Sequence, residues 1–139
     1  MADKKTTMRR FNEEVIGGGN LELVDEFTTE DFVDHEVPPG SPGGREGVKS
    51  FVSMFRQGFP DLTAEVEQLL EDGDHGIVRA TFSGTHDGDF MGVPASGKKV
   101  SFQTVDVVRF DGDRVAEHWG VTDVMSLMQQ IGAIPEPAA

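Results

Sequence analysis

The chain has 139 residues, a net charge of −13 and no cysteine. Its length suits a single domain, 1–139, with a core of its own, and 37% hydrophobic against 27% charged residues is a globular balance. Without cysteine there are no disulfides, thiolate nucleophiles or Cys-ligated zinc or iron–sulfur centres, and the acidity repels phosphate backbones and anionic lipid, so neither nucleic acid nor a membrane is an expected partner.

The first half reads as helical. Met8, Phe11, Val15 and Ile16 recur at helical spacing over Lys4–Ile16, and Gly17-Gly18-Gly19-Asn20 ends that helix. Leu21–Phe27 is a second, short helix, and Asp31–Val37 an extended piece. Pro38–Gly44 is a loop by composition. A third helix runs from about Arg45 to Gly58 on the stripe Val48, Phe51, Val52 and Phe55, and Phe59-Pro60-Asp61 stops it. The polar Met1–Arg10 lacks the apolar core of a signal peptide and no run is long enough to span a bilayer, so a cytoplasmic location is expected.

The period then changes from 3.6 to 2. Leu62, Ala64 and Val66 alternate with polar residues, Asp72-Gly73-Asp74 marks a hairpin, and Val78, Ala80 and Phe82 alternate again. A Gly/Pro-rich loop, Asp87–Lys98, leads to a strand at Lys99–Phe110; Asp111-Gly112-Asp113 turns the chain into a strand at Arg114–Thr122, and Ser126–Ile131 is a terminal helix or turn. Helices followed by an antiparallel meander predict an α+β fold, a curved antiparallel sheet with the N-terminal helices over its concave face and a pocket between the layers.

Two acid/base groups stand out in the last hairpin. One face of Lys99–Phe110 carries Val100, Phe102, Thr104, Asp106, Val108 and Phe110, which sets a carboxylate in an apolar wall. His118 shares a face with Ala116, Gly120 and Thr122 on the next strand. A three-residue loop at Asp111–Asp113 places Asp106 directly opposite His118, with Cβ atoms ~4.5–5.5 Å apart. A carboxylate beside an imidazole raises its pKa and sets its tautomer, as general acid/base work requires. His35, before the proline loop, and His86, at the end of the Val78/Ala80/Phe82 face, stand where they could reach the pocket mouth. Arg79, Arg109, Glu117 and Trp119 share the opposite face, read as a surface for self-association; Asp123 is placed to cap the terminal helix.

Two apparent phosphate motifs fail on context. Gly92 to Lys98 matches part of a phosphate loop but is followed by Lys99 instead of Ser/Thr and leads into a strand. Gly43-Gly44-Arg45-Glu46-Gly47 is a plain helix entry. The four histidines show no metal-binding spacing.

Phe32-Val-Asp-His-Glu, Pro39-Gly-Ser-Pro-Gly-Gly-Arg-Glu-Gly, Phe59-Pro-Asp-Leu, Gly84-Thr-His-Asp-Gly-Asp-Phe-Met-Gly-Val-Pro, Arg109-Phe-Asp-Gly and Glu117-His-Trp together resemble the SnoaL-like polyketide cyclases. The resemblance implies the cone-shaped barrel of the nuclear transport factor 2-like superfamily, homodimers or homotetramers, and a pocket that works without cofactor or metal. In such cyclases an aspartate is the acid/base of an intramolecular aldol closure of an aromatic polyketide ester, and a histidine on the neighbouring strand assists. Alignment to the family places that aspartate at Gly120 and that histidine at Asp106, so the pocket pair here is Asp106 with His118. The expected catalytic set is Asp106, His118 and His35; Phe51, Phe55, Phe82, His86, Met91 and Phe102 are expected to line an apolar pocket for a flat or cyclic substrate. A non-catalytic binding or dimerisation module, and an accessory protein in polyketide hydroxylation, are the alternatives.

Overall fold

The shift from a 3.6-residue to a 2-residue period divides the chain into a helical and a sheet layer, and the computed structural model, which describes residues 3–37 and 40–135, follows that division. Pro38 and Pro39 of the Pro38–Gly44 loop lie outside the described residues. Helix α1 (Lys4–Arg10) starts where the Asp3 carboxylate accepts the Thr6 N–H at 2.7 Å. It runs without a break into a π-helical turn, Phe11–Ile16, in which the Gly17 N–H reaches back to the Asn12 carbonyl at 2.9 Å. The single regular helix expected over Lys4–Ile16 is therefore two kinds of helix in series.

Helix α2 (Glu22–Phe27) feeds directly into strand β1 (Thr28–Asp34), which begins three residues earlier than the sequence suggested. Helix α3 (Gly44–Gly58) buries Val48, Val52 and Phe55. Strands β2 (Thr63–Asp72), β3 (His75–Thr85), β4 (Lys99–Asp111) and β5 (Arg114–Thr122) form an antiparallel meander, and α4 (Val124–Gln130) closes it, its first turn capped by the Asp123 carboxylate on the Ser126 N–H at 3.1 Å. Both tight hairpins have two-residue turns with glycine first, Gly73 at φ +60° and Gly112 at φ +64°, the left-handed conformation that matches strand twist.

The strand order is β1-β5-β4-β3-β2, and β1 pairs with β5 in parallel. The curved sheet is therefore mixed, which corrects the all-antiparallel expectation. The parallel partners are more than eighty residues apart, so no turn signal announces them. The α+β class itself is as the periodicity implied.

The helices lie over the concave face of the sheet. Arg56 fastens the layers: its Nη1 donates to the carbonyls of Ile16 (3.2 Å), Gly17 (2.9 Å) and Leu62 (3.1 Å), and its Nη2 to that of Pro60 (3.1 Å). The carbonyls at the end of the π turn have no helical partner, and one guanidinium satisfies two of them while tying α3 to the start of β2. Phe55, Phe59, Phe82, Phe90 and Phe102 pack ring against ring at 5.0–5.8 Å and fill the end of the core nearest α4 and the 87–98 loop.

Candidate active site

At the other end of the core the layers separate around a cavity of about 110 Å³. Met8, Phe11 and Ile16 from the first helix, Phe51 and Val52 from α3, and Phe82 from β3 make its walls largely apolar. An apolar recess with a few converging polar groups is the ordinary form of a small-molecule site.

The polar groups converge on His118. Its Nε2 is 2.7 Å from Asp106 Oδ1, and its Nδ1 is 2.9 Å from Asp34 Oδ1. Three strands supply the assembly: Asp34 ends β1 and is the parallel partner of His118 on β5, and Asp106 lies on β4. The Thr104 hydroxyl donates to Asp106 Oδ2 at 3.2 Å. All three side chains line the cavity and are largely withdrawn from solvent, with 13% exposure for Asp34, 18% for Asp106 and 24% for His118.

The Asp106–His118 contact forms by a route the sequence does not suggest. The turn is Gly112-Asp113 alone, with a bulge after Arg109, so Asp106 is paired with Gly120 and His118 with Val108. The contact is diagonal, within reach of long side chains. It is possible because residue 120 has no side chain: a Cβ there would overlap Asp106 Oδ1 and lie 2.9 Å from His118 Nε2. The position to which the resemblance assigns the cyclases' aspartate is thus the space across which Asp106 and His118 meet.

Burial pulls the His118 pKa down, but its hydrogen bonds to the Asp106 and then the Asp34 carboxylate, with their charges, more than offset it, and His118 is pushed up to about 10. The two carboxylates, one at each ring nitrogen, favour the imidazolium at neutral pH. Burial raises the Asp34 pKa, yet its bond to His118 and the charge of that ring outweigh this and hold it below the ordinary carboxylate value. No group of three ligating side chains able to hold a metal converges among the described residues.

The remaining sequence-selected residues are divided. Phe51 and Phe82 line the cavity, whereas Phe55 and Phe102 pack behind that wall in the aromatic end of the core. His35 follows Asp34 and so points to the other side of the sheet, where its Nε2 donates to the Glu117 carboxylate at 2.8 Å and the ring stacks on Trp119 at 4.8 Å. The structure therefore places His35 away from the pocket. His86 is fully buried outside the cavity; its Nδ1 accepts from the Ser96 hydroxyl at 2.8 Å and the Ser96 N–H at 3.2 Å, which secures the 87–98 loop. Met91, at φ 48°, stands exposed at the turn of that loop. Asp34 was missed. The one signal for it is parity: Phe32, two residues earlier on β1, is buried, and so marks the inward face.

The SnoaL-like polyketide cyclase family matches residues 6–131. Aklanonic acid methyl ester cyclase DauD of Streptomyces sp. (strain C5) is 23% identical over 123 residues, 86% of this chain and 76% of that protein. Among solved structures, one from Bacillus cereus ATCC 10987 is 34% identical, covers 92% of this chain and 79% of its own, and has a TM-score of 0.82. IdmH of Streptomyces antibioticus is 31% identical over 94% of this chain and 99% of its own, with a TM-score of 0.82. With the α+β cone, its cavity and a match along nearly its whole length, this chain belongs to the SnoaL-like polyketide cyclase family.

Proposed function

We propose that the protein is a cofactor-independent acid/base enzyme that closes a ring in, or isomerises, an uncharged cyclic or aromatic polyketide-like carbonyl compound. The observation that carries this reading is the Asp34–His118–Asp106 assembly in the wall of an apolar cavity. In an aldol closure the Asp106 carboxylate takes the proton from the carbon between two carbonyls. The enolate carbon attacks an internal ketone carbon, forming one C–C bond and leaving an alkoxide. The alkoxide takes a proton back through the Asp106–His118 pair, so substrate and product are isomers. The cationic His118 lies beside the developing negative charge and lowers its energy. Asp34 touches the far side of the ring and acts as a positioning residue.

The test is incubation with an anthraquinone-type β-keto ester, followed by absorbance and mass. The reading requires a product of unchanged mass with one carbonyl lost as a tertiary alcohol. No change in the ester, with no binding in the cavity, contradicts it.

The outer face of the sheet supports the expected homo-oligomer. Leu70, Ile77, Val107 and Trp119 are successive cross-strand partners and make one apolar row over four strands. Val105 and Val121 extend it, 42% and 73% exposed. A second copy of the chain fits this patch. Because each copy carries a charge of −13, association is expected to tighten with salt. Val121→Asp is expected to weaken the dimer at least ~10-fold in sedimentation equilibrium; a wild type monomeric at all salt concentrations contradicts the assignment.

A further inference from the structure

The cavity has a second polar feature, remote in the fold from His118. Asn12 lies on the π-helical turn, in the layer facing the sheet, and lines the cavity with Met8 and Phe11. It is 3% exposed. Its Nδ2 donates to the Met8 carbonyl at 2.9 Å. That carbonyl can only accept, so the amide is oriented with nitrogen toward Met8 and oxygen away from it. Asn12 Oδ1 is buried and has no hydrogen-bond partner.

A buried amide oxygen without a donor is unfavourable, and a leucine, with the same branched shape and no polar atom, carries no such penalty. Two threonines of the cavity wall are provided for: the Thr28 hydroxyl donates to the Val24 carbonyl at 2.6 Å, and the Thr104 hydroxyl bonds Asp106. Of the unpartnered buried polar atoms among the described residues, only Asn12 Oδ1 belongs to a residue of the cavity wall. The wider π turn keeps Phe11, Asn12 and Ile16 together on that wall.

We infer that Asn12 is a specificity residue whose side-chain oxygen accepts a hydrogen bond from a hydroxyl of the ligand. The inference rests on the cavity being the substrate site, as proposed above. A ligand between the layers is then held at two points, its reacting carbonyl region by the sheet at His118 and Asp106 and a phenolic or enolic hydroxyl by the first helix at Asn12. A substrate whose hydroxyl is methylated or missing leaves the amide oxygen unpaired and is discriminated against.

The test compares 2-naphthol, 2-methoxynaphthalene and naphthalene in calorimetric titrations of wild type and Asn12→Leu. 2-Naphthol is expected to bind wild type at least ~10-fold tighter than either analogue, and that preference is expected to vanish in Asn12→Leu, which has no amide oxygen to leave unpaired. The Asn12 side-chain amide resonance of wild type is expected to shift with 2-naphthol and to stay with 2-methoxynaphthalene, a readout that needs no variant to fold. Equal binding of the three compounds to wild type, a naphthol preference that survives in Asn12→Leu, or an unmoved amide resonance overturns the role of Asn12 and leaves the cavity as a ligand site. Failure of all three compounds to bind wild type overturns the cavity as an apolar ligand site and the inference with it.

Discussion

An Asp106→Asn variant is expected to lose ~10²-fold or more in kcat, with KM little changed, because removing a general base typically costs 10²–10⁴-fold. The amide is the same size as the carboxylate and its oxygen still accepts from His118 Nε2, so the cavity keeps its shape. What disappears is the group that takes the carbon-bound proton. The variant also removes one of the two charges that hold His118 as a cation, so the His118 pKa is expected to fall from about 10 toward its ordinary 6.5. Loss of kcat together with a lowered His118 pKa separates this account from a structural role for Asp106, which would change melting temperature and leave the pH profile in place. Unchanged turnover in Asp106→Asn would remove the carboxylate from the mechanism.

Gly120→Ala is expected to have a comparable effect through a single methyl group. The added Cβ overlaps Asp106 Oδ1 and comes within 2.9 Å of His118 Nε2, closer than real Cβ contacts allow, with Cε1 at a tight 3.1 Å. The carboxylate and the ring must part. His118 then keeps Asp34 alone, its pKa falls, and turnover falls ~10²-fold as in Asp106→Asn. The fold has no reason to fail, since Gly120 is not at a positive φ and an alanine is acceptable strand backbone. A carboxylate at residue 120 and an Asp106–His118 bond compete for one space, so aspartate at 106 and glycine at 120 act as one coupled change from the arrangement that the family resemblance implies. Wild-type turnover in Gly120→Ala would show that the Asp106–His118 contact is dispensable.

The same charges link the site to stability. The His118 pKa is raised on folding, so its contribution, on the order of a few kcal/mol, is complete below pH 6.5, declines above it and is gone above about 10. Asp34 is shifted the other way, and its contribution is present above the ordinary carboxylate pKa and is lost as pH falls through its lowered value.

Much of this was legible in the residues because period 2 assigns faces without knowledge of partners. The inward placement of Asp106 and His118 follows from the buried Phe102, Thr104, Val108 and Phe110 around the former. Strand β5 runs from Arg114 to Thr122 as expected. The register does not follow, because a two-residue turn and a bulge replaced the three-residue loop, and the contact survived only through the empty side of Gly120. Asp34 was hidden for a different reason. Parallel pairing of β1 with β5 is a tertiary event, and without it His35 is the more conspicuous neighbour although alternation sends it to the outer face. Local pattern likewise cannot separate Phe51 and Phe82, which reach the cavity, from Phe55 and Phe102, which fill the core behind it.

His118, held between two carboxylates, is the proposed cationic centre of the site. The most direct measurement is a ¹⁵N-histidine NMR titration of the wild type with His118 assigned by comparison with His118→Gln. The expected result is an imidazolium at neutral pH, with both ring nitrogens protonated, that titrates at about 10. A His118 ring that titrates near 6.5, with one nitrogen free at neutral pH, would contradict it.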